Sequence, residues 1–412
     1  MTDRLARRLG TLDAIAIGLG AMIGAGVFVA FGPATRAAGS NVLYALVIAG
    51  AIALCNAMSS ARLAAKYPAS GGTYIYARER LGHFWGFLAG WVFVIGKLAS
   101  CAAIALTFGI YLEAEYARPL AAAAVIALVT VNYFGVKKTL AVTKVLVAVL
   151  LVLLGIVLVT ASSPNEWALA RAPIEPGGVA GTLQAAGFLF FAFAGYARIA
   201  TLGEEVERPE RTIPRAIPIA LAIALAIYTA VCLQLLANVD VEIVAGSPAP
   251  LALIADIGVV GAGAAIAALG SLHALIAGVS RTAFAMAANR DLPHDLAAVH
   301  PRYHVPHRAD IAVGIIVAIA VLVADLRDAI GFSSFAVLLY YALANASALT
   351  LRRGERHWST RIFAGAGLAG CVVISVSLPL RSTLAGAALA AAGALVYVLK
   401  AWRSYPRSDP RR

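Results

Sequence analysis

The stretch GLGAMIGAGVF, residues 18–28, lies inside an apolar segment of membrane-spanning length and carries four glycines, Gly18, Gly20, Gly24 and Gly26. Glycine in a helix interior costs about 1 kcal/mol relative to alanine. A single glycine is an ordinary packing feature, and a glycine kink pressed against a neighbour explains one such position. A cluster predicts that the helix is interrupted at Gly24–Ala25–Gly26. Backbone freed at mid-membrane is tolerated only where it lines a cavity.

The rest of the chain supplies the membrane setting. Of its 412 residues, 61% are hydrophobic and 13% charged, with mean hydropathy +0.85, against about 45–50% and about 25% in soluble domains. Apolar stretches long enough to cross a bilayer fall at 11–31, 41–61, 83–110, 118–136, 139–161, 181–202, 215–237, 250–288, 309–325, 329–350, 362–379 and 382–401. They predict an all-α polytopic membrane protein with 12 transmembrane helices. The third and eighth stretches are long enough to tilt or to continue past the bilayer. The opening MTDRLARRLG is basic, and the apolar stretch after it is of span length without an Ala-x-Ala site, which predicts a retained span and not a secretory leader.

Charge orients the chain. One set of segments holds Arg4, Arg7 and Arg8; Arg62, Lys66, Arg78 and Arg80; Lys137 and Lys138; Arg208, Arg211 and Arg215; Arg281, Arg290, Arg302 and Arg308; Arg352, Arg353, Arg356 and Arg361; and the basic C-terminal tail. The alternate set holds only Arg36, Arg118, Arg171, Arg327 and Arg381. The positive-inside rule then places both termini in the cytoplasm and the chain in the cell membrane as a multi-pass protein. The net charge of +12 is absorbed by orientation and calls for no nucleic acid partner. Cys55, Cys101, Cys232 and Cys371 all sit in apolar stretches, so they read as packing residues with neither a disulfide framework nor a metal site.

A second interruption is predicted in GFLFFAFAGYARIATLGEE, residues 187–205, which has internal glycines at Gly187 and Gly195 and a charge at Arg198. Span one enters the membrane from the cytoplasm and span six from outside. Breaks at corresponding places in two five-span halves are the mark of an inverted-repeat transporter. The implied organisation is one membrane domain over 1–412, with repeats at 11–161 and 181–350 and two additional helices at 362–401. The outer half of span one offers free N–H groups and partial positive charge, suited to a carboxylate. Unwinding near Phe191–Gly195 offers carbonyls, suited to an ammonium. A zwitterion fits both.

At these residues the chain resembles the amino acid–polyamine–organocation (APC) superfamily. MIGAGVF (22–28) resembles its span-one motif, YPASGGTYIYARERLG (67–82) its loop between spans two and three, FFAFAGYARIATLGEEVERPERTIPRAI (190–217) its span six and following loop, and GVSRTAFAMAANRDLP (278–293) its loop after span eight. The resemblance implies a five-plus-five inverted repeat with discontinuous helices 1 and 6, alternating access, and a substrate site at Ile23, Gly24, Ala25, Gly26, Phe191, Ala194 and Gly195. Within it the cargo's carboxylate meets the N–H groups of Ala25 and Gly26. Its amino group meets the carbonyls of Ile23, Phe191 and Ala194, and Phe191 matches an aromatic gate. The chain departs from many relatives at Ala197, Leu150 and Gly96, so the family's usual proton-coupling residues do not transfer.

A charge at mid-membrane costs at least ~2.5–3.5 kcal/mol on insertion scales and is a functional candidate by default. Lys97 lies deep in span three. Two readings stand: a proton carrier that loads and releases during transport, or a structural amine capping carbonyls of a broken helix. Arg198 keeps its charge, so it is either a structural ion-pair member or part of a cytoplasmic gate with Glu204 or Glu205. Lys144 is read as snorkelling. His294, His300, His304 and His307 occupy a proline-broken loop and read as solvated.

The sequence therefore points to a secondary active transporter of amino acids, proton-coupled or an exchanger, embedded in lipid and needing no cofactor. With Lys97 and Arg198 in the spans and no acid at mid-span, a neutral amino acid is favoured. A basic amino acid or polyamine exchanger is the alternative, and a non-transporting amino acid sensor is the rival of another class. No motif of an enzyme is present. The oligomeric state is not encoded in any pattern recognised in the sequence.

Overall fold

The apolar stretches fold as helices because in lipid each backbone N–H and C=O has to be satisfied within its own segment. The computed structural model describes residues 9–67, 71–135, 140–161, 178–200, 206–351 and 358–404. In chain order the helices are α1 (Thr11–Met22), α2 (Ala25–Val29), α3 (Phe31–Ala38), α4 (Val42–Lys66), α5 (Thr73–Leu81), α6 (His83–Leu112), α7 (Ala117–Tyr133), α8 (Leu140–Thr160), α9 (Gly178–Phe193), α10 (Ala197–Ala200), α11 (Pro209–Asn238), α12 (Val241–Gly246), α13 (Ile257–Ala288), α14 (His307–Val323), α15 (Leu326–Leu349), α16 (Trp358–Ser377) and α17 (Leu380–Ser404). Among the described residues the only β pairing is the isolated bridge between Leu9 and Val206.

Among the described residues, eleven segments are long and apolar enough to cross a membrane. The ninth stretch read from sequence, 309–325, corresponds to the shorter α14, of 17 residues. The eighth starts later than its hydropathy indicates. Pro250 opens a short 3-10 turn, and the Asp256 carboxylate then caps α13 by accepting N–H bonds from Gly258 (2.9 Å) and Val259 (3.1 Å).

Both predicted interruptions are present, each displaced by a residue or more. Span one breaks at Ile23 and Gly24, and Ala25 and Gly26 already belong to the first turn of α2. In span six, α9 winds on through Phe191 to Phe193, and a 3-10 turn, Ala194–Tyr196, separates it from α10.

The two interrupted spans lie side by side in one antiparallel register. Outside the two spans, Glu207 N–H donates to Leu9 C=O (2.9 Å) beside the parallel bridge of Leu9 with Val206. A Cβ built on Gly18 would overlap Ile199, one on Gly195 would overlap the Ala21 carbonyl oxygen, and one on Gly26 would stand 2.6 Å from Ala192 Cα. Gly20 and Gly24 face side chains a little less closely, Val147 of α8 at 2.8 Å and Ser271 of α13 at 2.9 Å. The glycine cluster thus serves the break and also brings backbones together, as small residues do between helices in lipid.

The apolar interior divides. The largest cluster is built on α1–α4, α8, α9, α11, α15 and α16, with parts of α6. A second is built on α6, α7, α13 and α14, and it takes in Ala25 from α2. Half-buried Phe191 packs against both. The most enclosed helices are α15 and α6, with 83% and 72% of their apolar windows buried, whereas α7 and α17 have 17% and present apolar flanks suited to lipid. Lys144 does more than reach for the interface: its ammonium pairs with Asp13, whose carboxylate also accepts the Gly10 N–H (2.8 Å).

The register makes a graded prediction. Gly195→Ala and Gly26→Ala meet backbone, which cannot move aside as a side chain can, and should each cost ~1–3 kcal/mol or more of stability. Gly278→Ala and Gly365→Ala meet nothing within 4 Å and should stabilise by up to about 1 kcal/mol. Thermal unfolding of the purified variants checks both signs.

Candidate functional site

The break in span one leaves the first turn of α2 without a side-chain cap, since its N-cap is Gly24. The helical path resumes almost at once. Ala30 N–H donates to Gly26 C=O (2.9 Å) and Ala34 N–H to Ala30 C=O (3.2 Å), carrying the backbone into α3. The aligned peptides place partial positive charge at Ala25 and Gly26. Across from Gly26 lies Ala192 of α9, and the 3-10 turn that follows, with Ala194 and Gly195, lies against Ala21 and Met22 just before the first break. The structure therefore brings together Ile23, Gly24, Ala25, Gly26, Ala194 and Gly195, with Phe191 one turn before the second break.

The freed carbonyls are held by tyrosines. The Tyr228 hydroxyl of α11 lies 2.5 Å from Met22 C=O and 3.1 Å from Ala192 C=O, bridging the two interruptions. A hydroxyl has one proton, so it cannot fully satisfy both acceptors at once. The Tyr341 hydroxyl of α15 donates to Ala194 C=O (3.4 Å), while its ring stacks on Tyr196, with centroids 5.0 Å apart. The Tyr111 hydroxyl of α6 donates to Phe28 C=O (2.6 Å). None of these three was singled out from sequence. The available signal was a tyrosine within an apolar span, whose hydroxyl needs a partner when buried.

Glycine at 24 and 26 is also required sterically. Ser271 stands where a Gly24 side chain would go, 2.9 Å away, and its hydroxyl donates to Ala267 C=O (2.7 Å). A side chain on Gly26 would strike span six, so its exclusion follows from helix contact before any question of ligand space.

The intramembrane charges are placed differently from one another. Lys97 is buried in α6 at 7% exposure, with Cys101 one turn further on. Cys101 belongs to the same apolar cluster as Ala25. On the adjoining face of α6, Ser100 and Ser333 of α15 share a hydrogen bond of 2.5 Å. Arg198 lies half-buried in α10 and is engaged in an interaction. Glu204 and Glu205 lie outside the described residues. Among the described residues no group of three or more His, Cys, Asp or Glu side chains is placed to hold a metal ion.

An all-α polytopic protein with two facing, interrupted helices has the construction of a membrane transporter. The chain belongs to the amino acid permease family, whose model matches residues 13–398. It is 56% identical over 403 residues to an uncharacterized transporter of Mycobacterium tuberculosis, covering 96% of this chain and 91% of that one. It is 29% identical over 392 residues to cationic amino acid transporter 4 of Homo sapiens, with 85% and 61% covered. It is 25% identical over 388 residues to the branched-chain amino acid permease BcaP of Bacillus subtilis, with 85% and 82% covered.

Tyr228→Phe tests the bridge. It removes the donor shared by Met22 and Ala192, and an unsatisfied buried carbonyl costs about 1–3 kcal/mol. The variant should unfold at lower temperature in thermal denaturation. Tyr44→Phe, at an exposed position, should leave the transition where it is.

Proposed function

We propose that the protein is a secondary active transporter that moves a neutral amino acid across the cell membrane by alternating access, proton-coupled or by exchange. What supports this reading is the adjacency of two interruptions, at Ile23–Gly24 with α2 left uncapped and at the turn Ala194–Tyr196; we assign the cargo's carboxylate to the N–H groups of Ala25 and Gly26 and its amino group to the carbonyls of Ile23, Phe191 and Ala194. A zwitterion has its two charges a few ångströms apart and matches that pair of poles. The arrangement of apolar clusters supports motion around the site, because Ala25 packs with one cluster, most of span one packs with the other, and Phe191 touches both. We place the repeats at 11–161 and 181–350, the additional helices at 362–401, and both termini in the cytoplasm.

Charge favours a neutral cargo. The acids of the described spans sit near helix ends, at Asp13, Glu115, Glu210, Asp256, Asp310, Asp325 and Asp328, and Lys97 is the buried cation of α6. A basic amino acid or polyamine would need a carboxylate at mid-depth to offset its extra charge. The likeness to a relative named as a cationic amino acid transporter keeps that cargo as the second reading. Lys97 is assigned as the proton carrier, and Arg198 as a fixed charge at the inner end of span six.

Uptake of radiolabelled leucine into proteoliposomes, competed by unlabelled leucine, lysine and glutamate, decides between the readings. Competition by neutral amino acids supports the first, and competition by lysine alone supports the second. Ligand binding without flux would leave a sensor. Lys97→Ala should abolish the pH dependence of uptake while the protein keeps its fold and its ligand-induced thermal stabilisation. An unchanged pH profile removes Lys97 from the coupling role.

A further inference from the structure

Away from the two breaks, four side chains converge on one carboxylate. Asp291 follows α13 and its side chain is 2% exposed, whereas those of Arg78, His83 and Lys400 around it are 32%, 44% and 43% exposed. The Tyr74 hydroxyl donates to Asp291 Oδ2 (2.7 Å), and Arg78 Nη1 lies 3.5 Å from the same oxygen while donating to the Tyr74 hydroxyl (2.9 Å). On the other oxygen, Oδ1, His83 Nε2 approaches to 3.2 Å and Lys400 Nζ to 3.9 Å. His83 Nδ1 also lies 3.0 Å from the Tyr397 hydroxyl. The donors come from α5, the start of α6 and the end of α17. One buried acid thus ties the loop between spans two and three, span three itself and the last helix to the end of span eight.

The backbone is shaped to present that acid. Arg290 adopts a left-handed conformation, φ 61°. Asp291 N–H then donates to Met286 C=O (2.7 Å) and Arg290 N–H to Ala287 C=O (2.9 Å), the Schellman closure that glycine usually makes at this position. A non-glycine residue held there is strained, and such strain clusters where function requires it. Burial, reinforced by the hydrogen bond to Asp291, pushes the Tyr74 phenol up to about 12, so it stays a donor at physiological pH. Beneath the cluster lies a satellite core whose fully buried members are Tyr74, Phe87 and Met286, separate from the two larger ones. Few apolar contacts and a wet rim of cations describe a contact that can open without unfolding the bundle.

A line of contacts runs from α5 to the second interruption. Thr73 N–H donates to the Tyr340 hydroxyl of α15 (2.9 Å), and Arg80 Nε to Thr350 Oγ1 (2.9 Å). The Tyr340 ring meets that of Tyr341 edge to face at 5.3 Å, and Tyr341 donates to Ala194 C=O in the 3-10 turn of span six. α5 is therefore held by Asp291 on one side and by span ten on the other.

We propose that Asp291 is the positioning residue of an intracellular latch, which holds α5 closed on the cytoplasmic side and, through Tyr340 and Tyr341, couples that closure to the span-six break. The proposal rests on the transporter reading for its consequence and on geometry for its existence. Asp291 acts through Tyr74 and Arg78 and does not touch cargo, so its loss changes the rate of conformational exchange and leaves cargo affinity in place.

Asp291→Asn should lower the maximal rate of leucine exchange in proteoliposomes at least fivefold, with the binding constant for leucine changed less than twofold. Tyr340→Phe, which removes the acceptor of the Thr73 N–H, should show the same split, and the double variant should be no slower than the slower single. A wild-type rate in Asp291→Asn, a parallel loss of rate and affinity, or multiplying effects in the double variant overturns the latch. If Asp291→Asn does not fold, Lys400→Met takes its place in the same comparison and is judged by the same outcomes. Hydrogen–deuterium exchange keeps this separable from the transport reading. Without any substrate, Asp291→Asn or Lys400→Met should raise exchange at least tenfold in peptides covering 73–81. Unchanged protection there rejects the latch even if transport is established. Raised exchange in a protein that moves no amino acid keeps the latch and rejects the transporter reading.

Discussion

Backbone lies against backbone where Gly26 meets Ala192 and Gly195 meets Ala21, and the rest of the architecture depends on that contact. Helices in a bilayer gain nothing from hiding apolar side chains from lipid that is equally apolar; they gain from close packing. Two glycines, each facing the other span's main chain, bring the interrupted spans close enough for one tyrosine hydroxyl to reach carbonyls on both. The contact also explains why the breaks coincide in depth. In an antiparallel pair held in register, a break in one span lies beside a fixed place in the other.

Once the breaks are fixed, their polar groups need partners. Tyr228, Tyr341 and Tyr111 supply hydroxyls from three different helices, so that main chain which would be intolerable in lipid becomes part of a packed interior. Some capacity is left over. One Tyr228 proton serves two carbonyls, and no side chain caps α2. That remaining polarity at the uncapped start of α2 is the feature on which the proposed zwitterion site rests.

The charged contacts are distributed by the same logic of depth. Asp13 with Lys144 and the Asp291 cluster both lie where helices end, so their cations keep contact with water while the acids are enclosed. Lys97 is the exception, held in the interior of α6. Removing a partner from a buried ion pair costs far more than an exposed pair contributes, which gives the Asp291 cluster its capacity to hold helices from separate parts of the chain together.

The sequence alone determined the membrane setting, the helical class and the presence of two interruptions, because hydropathy over a span and glycine in a helix are local properties. It placed the breaks at Gly24–Gly26 and Phe191–Gly195, whereas they fall at Ile23–Gly24 and Ala194–Tyr196, because tertiary contacts let helix run through Phe193 and resume at Ala25. It missed the tyrosine caps, since the need of a hydroxyl for a partner is visible in sequence but the partner is not. It read Lys144 as reaching for the interface and missed its pairing with Asp13, because the partner lies on another helix and only packing brings the two together. The junction of Tyr74 with Asp291 joins residues 217 positions apart, and no local pattern encodes it. Tertiary structure decided which glycine faces which backbone, which hydroxyl closes which carbonyl and which cations gather on one acid, since each depends on the relative placement of helices that the chain brings together only on folding.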